Sequence, residues 1–276
     1  MATTNTTAAT TTSTTTATSM LESVLIRFKS LGINLLAIDF DMTIIDIHTG
    51  GRWTGTPDEL AQHHIRPEFR QLIRACWRHD IAVAVVTFSP QTAVVQHALH
   101  QIVNPGGGSS SSSNSSSYNY NHHRNTPILV TTTAQPATES ELAAASYVIP
   151  IRGGDRTWQY QGTGSRLGKQ AHIASAVEEL LHHHEAHAPV VAAAAASSDD
   201  GTQDDNHHNN NNSNTTATAS SSSSSPSSPL EITKQTTILI DDDRRNIKHA
   251  LQDKTRAVWF NPEKPHHLFR DLARLV

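Results

Sequence analysis

The sequence predicts an α/β fold, a three-layer Rossmann-like parallel sheet with helices on both faces. Three observations carry that expectation. Apolar runs of strand length at residues 33–40, 81–86 and 237–240 are separated by helical patterns. The runs are continuous rather than alternating, as in strands covered on both faces. Each run also ends in residues suited to phosphate or metal, at the sheet edge where open α/β folds place their chemistry.

The elements follow in order. A first helix is expected over 21–31, with Leu21, Val24, Leu25 and Phe28 at helical spacing. The strand at 33–40 comes next. A helix over 67–79 starts near Pro67 and buries Phe69, Leu72, Ile73 and Cys76. Strand 81–86 is followed by a helix over 90–102. Short strands are read at 127–130 and 147–149. A helix over 167–182 carries the stripe Ile173, Val177, Leu180 and Leu181. Strand 237–240, a helix over 244–251, strand 257–260 and a helix over 267–275 complete the pattern. Right-handed crossovers place all the strand carboxyl ends on one edge.

Composition limits how much of the chain folds. Of 276 residues only 36% are hydrophobic and 17% charged. Residues 1–19 form a Thr/Ala-rich tail, and low-complexity inserts occupy 104–126 and 188–230. Such tracts bury too little apolar surface to offset chain entropy, so all three are read as disordered. One domain is expected over 20–276, with the inserts expanding surface loops. A net charge of −4 gives no electrostatic case for nucleic acid or an anionic membrane. No run approaches the ~18 apolar residues of a membrane span, and the first residues lack an apolar leader core. A soluble, cytoplasmic protein is the expectation. The lone cysteine, Cys76, reads as a buried, inert thiol.

The strand ends carry the chemistry. The first run closes in Asp39-Phe40-Asp41-Met42-Thr43. Two carboxylates at this spacing can divide labour, one attacking or binding metal while the other moves protons. The same residues also suit a turn after a strand. The second run ends in Thr87-Phe88-Ser89 and the third in Asp241-Asp242-Asp243, while Gly168-Lys169 opens a helix. Singly these read as a strand-end threonine, an N-cap run and a solvated lysine. Their order along the chain favours one site.

In that order they resemble the haloacid dehalogenase (HAD) superfamily, chiefly Mg²⁺-dependent phosphohydrolases. Asp39-x-Asp41-x-Thr43 is similar to the family's first motif, the strand ending in Thr87 to the second and Lys169 to the third. Asp241-Asp242-x-x-x-Asn246 is similar to the acidic fourth. The resemblance runs from about Leu35 to Phe260 and omits the inserts. It implies that Asp39 attacks phosphorus and forms an aspartyl phosphate. It implies that Asp41 protonates the leaving oxygen and then activates water. Mg²⁺ would be held by Asp39, the Asp41 carbonyl oxygen and Asp242, with Asp241 the second choice. Thr87 and Lys169 would hold the phosphoryl oxygens. The second aspartate disfavours dehalogenation.

The span between Thr43 and the second strand leaves room for a small cap or none. An open site suits a phosphorylated small molecule or a phosphoprotein, with a protein partner free to cover it. Arg52 and Trp53, in the loop after the first motif, are candidates to contact substrate or to pin that loop. Arg152-Gly153-Gly154-Asp155-Arg156 is a second candidate anion contact. His182-His183-His184-Glu185-x-His187 lacks zinc-site spacing and reads as a solvated helix end. Two rivals stand beside the hydrolase: a non-catalytic HAD-like scaffold for protein binding, and an aspartyl-phosphate receiver domain. In receivers the lysine comes last, whereas here an acidic strand end follows Lys169.

Overall fold

The computed structural model describes residues 8–103, 148–155, 157–187 and 230–276, with backbone only for 8–18 and 187. Five parallel strands form one sheet in the order β3-β2-β1-β4-β5. They are β1 (Leu35–Ile38), β2 (Ala82–Val86), β3 (Ile151–Arg152), β4 (Thr237–Asp241) and β5 (Arg256–Trp259). The described helices are α1 (Ala8–Ser30), α2 (Pro57–His63), α3 (Pro67–Arg78), α4 (Thr92–Val103), α5 (Gln170–His187), α6 (Arg244–Gln252) and α7 (Leu268–Ala273). The expected three-layer α/β architecture is present.

The continuous apolar runs have the predicted cause. β1, β2 and β4 are buried along their whole length, so both side-chain directions meet helices. Leu36, Ile38, Val83, Val85, Ile238 and Ile240 share one core with Val24 and Phe28 of α1, Phe69 and Leu72 of α3, Val95 and Leu99 of α4 and Leu272 of α7. Leu35, Ala37, Ala82, Ala84, Val86 and Leu239 face the other way, onto Ile173, Ala176 and Leu180 of α5 and Ala250 of α6. The alanines on this second face leave room for α5 to lie close to the sheet. Cys76 is fully buried and its thiol is pushed up to about 12 by burial, as an inert core residue should be.

Several boundaries differ from the sequence reading. α1 begins at Ala8, so the tail read as disordered over 1–19 is helical from that point. The short strand expected at 147–149 falls later, at Ile151–Arg152, because Val85 N–H pairs with the Pro150 carbonyl and Thr87 N–H with that of Arg152. The strand read at 127–130 and the inserts, save Leu230, lie outside the described residues. α2 was not anticipated. Its signal was present in Thr56-Pro57-Asp58-Glu59: the Thr56 hydroxyl accepts the Glu59 N–H at 3.1 Å, and Pro57 opens the helix. With α3 it fills the span between β1 and β2. It lies beside α4, where His97 Nε2 meets Asp58 Oδ1 at 2.6 Å. No described helix is long and apolar enough to cross a membrane.

The order of the strands fixes where the site must be. From β1 the chain winds outward through β2 and β3, then returns to β4 on the other side of β1. The crevice beyond the carboxyl ends of β1 and β4 is therefore the switch point of the sheet.

Candidate active site

Asp39 and Asp241 owe their proximity to strand register. Ile38 pairs with Ile240 in adjacent parallel strands, and the Asp39 N–H donates to the Ile240 carbonyl at 2.9 Å. The next residue on each strand is an aspartate. Asp242 follows, and oxygens of Asp39, Asp241 and Asp242 all lie within 4.8 Å of one another. Asp39 and Asp241 are buried and Asp242 is half-buried.

Just after Asp39 the chain makes a single π-type turn, Phe40–Ile44, closed by Ile45 N–H to the Phe40 carbonyl at 3.1 Å. Met42 sits at φ 57 within it. The turn buries Thr43, whose Oγ1 donates to Asp242 Oδ1 at 3.3 Å, and directs Asp41 away from the cluster. There Thr49 Oγ1 lies 3.0 and 2.9 Å from the two Asp41 oxygens, and His48 Nδ1 lies 3.4 Å from Oδ2. Asp41 is thus the carboxylate kept apart from the acid cluster.

Lys169 arrives from α5. Gly168, at φ 57, turns the chain into the helix, and the lysine side chain is only 1% exposed. Its Nζ donates to Asp39 Oδ1 at 2.8 Å. The same ammonium lies 3.9 Å from the centroid of the Phe88 ring, so that exposed ring roofs the ion pair. Behind Phe88, His172 packs edge-on at 5.3 Å and Trp158 tilts against His172 at 4.5 Å. Burial, with Lys169 and Arg152 nearby, pushes His172 down to about 4, so its ring is neutral.

Thr87 is buried at the end of β2, beside β1. Its Oγ1 accepts the Ser89 N–H at 3.1 Å, which leaves the hydroxyl proton free to donate. Gly153 lets the β3 loop press onto this turn, since a Cβ there would stand 2.6 Å from the Ser89 carbonyl oxygen. Gly154 N–H donates to that same oxygen at 2.9 Å.

The electrostatics are those of crowded acids. Burial lifts Asp39 above its ordinary value, and Lys169 pulls it back. Burial, then the Asp39 charge, raises Asp241 to about 7. Burial also raises Asp242. Asp241 is held by Asn246 Nδ2 at 3.1 and 3.0 Å and by the Asp243 N–H at 2.8 Å. Three oxygen donors aimed into one corner, each made harder to ionise there, form a set that a hard divalent cation would fit.

The structure brings together Asp39, Asp241, Asp242 and Lys169, and sets Thr87 at the neighbouring strand end. Arg52 and Trp53 lie in the loop that follows Thr49, where the Arg52 N–H donates to the Thr49 carbonyl at 3.1 Å. Arg52 is exposed. Trp53 pins its loop: its backbone N–H donates to Gln91 Oε1, Gln91 Nε2 donates back to its carbonyl at 3.2 Å, and its indole N–H reaches the Thr56 carbonyl at 2.9 Å. Arg152 is also not an anion contact. Its guanidinium is buried against Ser175 Oγ at 2.9 Å, the Ser175 carbonyl at 3.0 Å and the Glu179 carboxylate. His182, His184 and Glu185 are exposed at the end of α5. Residues the sequence did not single out are Thr49, His48, Asn246 in its clamping role, and Phe88. No family model, curated protein or solved structure matches the chain, so a functional assignment rests on the geometry of this corner.

Proposed function

We propose that the protein is a Mg²⁺-dependent phosphohydrolase that cleaves a phosphate monoester through an aspartyl phosphate on Asp39. The observation that supports this most is the convergence of Asp39, Lys169 and Asp241–Asp242, drawn from three distant segments, on one edge of the sheet. The carboxylates of Asp39, Asp241 and Asp242, with the Asp41 carbonyl, would hold the ion, which offsets the negative charge of carboxylates and phosphate alike.

The chain's own groups divide the remaining work. Lys169 fixes one oxygen of Asp39, leaving the other to attack phosphorus as the ester P–O bond breaks. Lys169 and the Thr87 hydroxyl hold phosphoryl oxygens as charge develops on them. Asp41, oriented by Thr49, gives its proton to the leaving oxygen. It then takes a proton from water, which attacks the aspartyl phosphate and frees Asp39. A site roofed by one aromatic ring suits a bulky phosphorylated molecule or a phosphoprotein.

The test is turnover of p-nitrophenyl phosphate by the full chain. Turnover should require Mg²⁺ and fall by at least about 10³-fold in Asp39→Asn. Undiminished turnover in that variant overturns the assignment. Titration with Mg²⁺ and beryllium fluoride separates the enzyme from an inert scaffold, which should not bind the two together.

A further inference from the structure

α6 begins directly after the acid cluster and presents a second surface. Its Asn246 and Ala250 face inward and are buried. Arg244, Ile247, Lys248, Leu251 and Gln252 fall along the opposite side at helical spacing. With Trp259 of β5 they line an open groove of about 520 Å³.

Three features set this groove apart from an ordinary solvated helix face. Its floor is apolar: Leu251 is 56% exposed, and Ile247 and Trp259 are half-buried. Among the described residues its cations have no counter-ion. No acid occurs between Arg244 and Gln252, and among the described residues no carboxylate pairs with Arg244 or Lys248. One of those cations is already held in place, with the Arg244 guanidinium 3.9 Å from the Trp259 ring centroid. The Trp259 indole N–H in turn donates to the Asp242 carbonyl at 2.8 Å, so one end of the groove abuts the acid corner.

We propose that this groove docks a short acidic peptide segment of a partner protein, one carrying a large apolar side chain between its acids. The apolar side chain would cover Ile247, Leu251 and Trp259, and the flanking carboxylates would meet Arg244 and Lys248. From Arg244 to Leu251 the helix rises about 10 Å, the span of about three extended residues. A nucleic acid fits less well. Two cations around an apolar floor, on a chain of net charge −4, do not trace a phosphate backbone. Exposed ion pairs contribute little each, so binding should be weak and salt-sensitive.

Docking in this groove is independent of the proposed hydrolysis. The test uses the full chain and fluorescence anisotropy of a labelled hexapeptide with a central leucine flanked by aspartate and glutamate. A matched peptide with lysine for each acid and a single-stranded oligonucleotide serve as competing probes. The acidic peptide should bind, with affinity falling several-fold on raising the salt. Lys248→Glu and Leu251→Ser should each weaken it at least about tenfold, with circular dichroism and p-nitrophenyl phosphate turnover unchanged. Lys248→Ala, a milder change, should weaken it about threefold and covers misfolding of the charge reversal. Binding that ignores all three substitutions, equal binding of the lysine peptide, or tighter binding of the oligonucleotide overturns the proposal. Peptide binding without turnover would count against the hydrolase alone, and turnover without peptide binding against the docking groove alone.

Discussion

Replacing Lys169 with methionine tests the geometry of the acid corner without assuming any reaction. The lysine is 1% exposed and its ammonium sits 2.8 Å from Asp39. Methionine fills much of the same volume and meets Phe88 without strain, so the main loss is charge. Removing one member of a buried ion pair costs about 3–5 kcal/mol, because the other charge is left uncompensated. Here that cost has a ceiling, since Asp39 can take up a proton instead. For a carboxyl whose ordinary value is 3.8, neutralisation costs about 4 kcal/mol at pH 7 and about 2 kcal/mol at pH 5. Those figures are upper limits, because burial already lifts Asp39 in the folded chain, and the loss should be larger at the higher pH. Urea unfolding in the presence of a chelator, at both pH values, measures it. The double variant Asp39→Asn/Lys169→Met closes a cycle that should show at least about 2 kcal/mol of coupling at pH 7. Equal losses at the two pH values, or additive single variants, would refute the buried pair.

The same contacts set three further outcomes. Asp241 is raised to about 7 in the folded chain, so its contribution to stability is fully present below its ordinary 3.8 and lost as pH rises through about 7; melting temperature without divalent metal should decline across that window, and saturating Mg²⁺ should flatten the decline. Thr49→Val removes the hydroxyl that holds both Asp41 oxygens; kcat should drop about 10–100-fold with KM and Mg²⁺ affinity unchanged, and Thr49→Ser should restore it. Phe88→Leu strips the ring from the Lys169 ammonium and should cost about 1 kcal/mol of stability, a loss that should shrink in the Lys169→Met background, where the ring keeps its contact with His172.

How much of the fold and the acid corner could be read from residues alone varies with the kind of information involved. The sheet was legible because burial on both faces demands uninterrupted apolar runs, and β1, β2 and β4 obey that demand. Asp39, Asp241 and Asp242 were legible because acids follow two separate apolar runs in one order with Thr87 and Lys169. Boundaries set by hydrogen bonding were not: β3 is two residues long, and its place depends on what Val85 and Thr87 pair with. Loop contacts were equally hidden. Thr49 reaches Asp41 only because a π-type turn reverses the chain, and no periodicity reports such a turn. Arg152 misled for a related reason. An arginine beside two glycines suggests an anion site, yet its position at the end of a buried strand turns it onto Ser175 and Glu179 of α5. α2 was missed although its capping pattern was present, because seven residues are too few for a periodic signal.

The acid corner also explains why these segments must be read as a set. In-register pairing of Ile38 with Ile240 forces Asp39 and Asp241 side by side, an arrangement that opposes folding when both are charged. A one-residue slip would separate them, but it would also turn one strand's set, Leu36 and Ile38 or Ile238 and Ile240, out of their core. Hydrophobic packing therefore holds the register, and the register imposes the repulsion. What relieves the repulsion comes from elsewhere in the chain: Lys169 at the start of α5, Asn246 within α6 and the Asp243 N–H at its N-cap. Each of these lies beyond a strand rather than in one, so the groups that relieve the repulsion are separate from those that set the register. A structural role alone would be met by two apolar residues at positions 39 and 241. The proposed metal-dependent chemistry would use the carboxylates that this register sets together, at a folding cost that the surrounding donors offset in part.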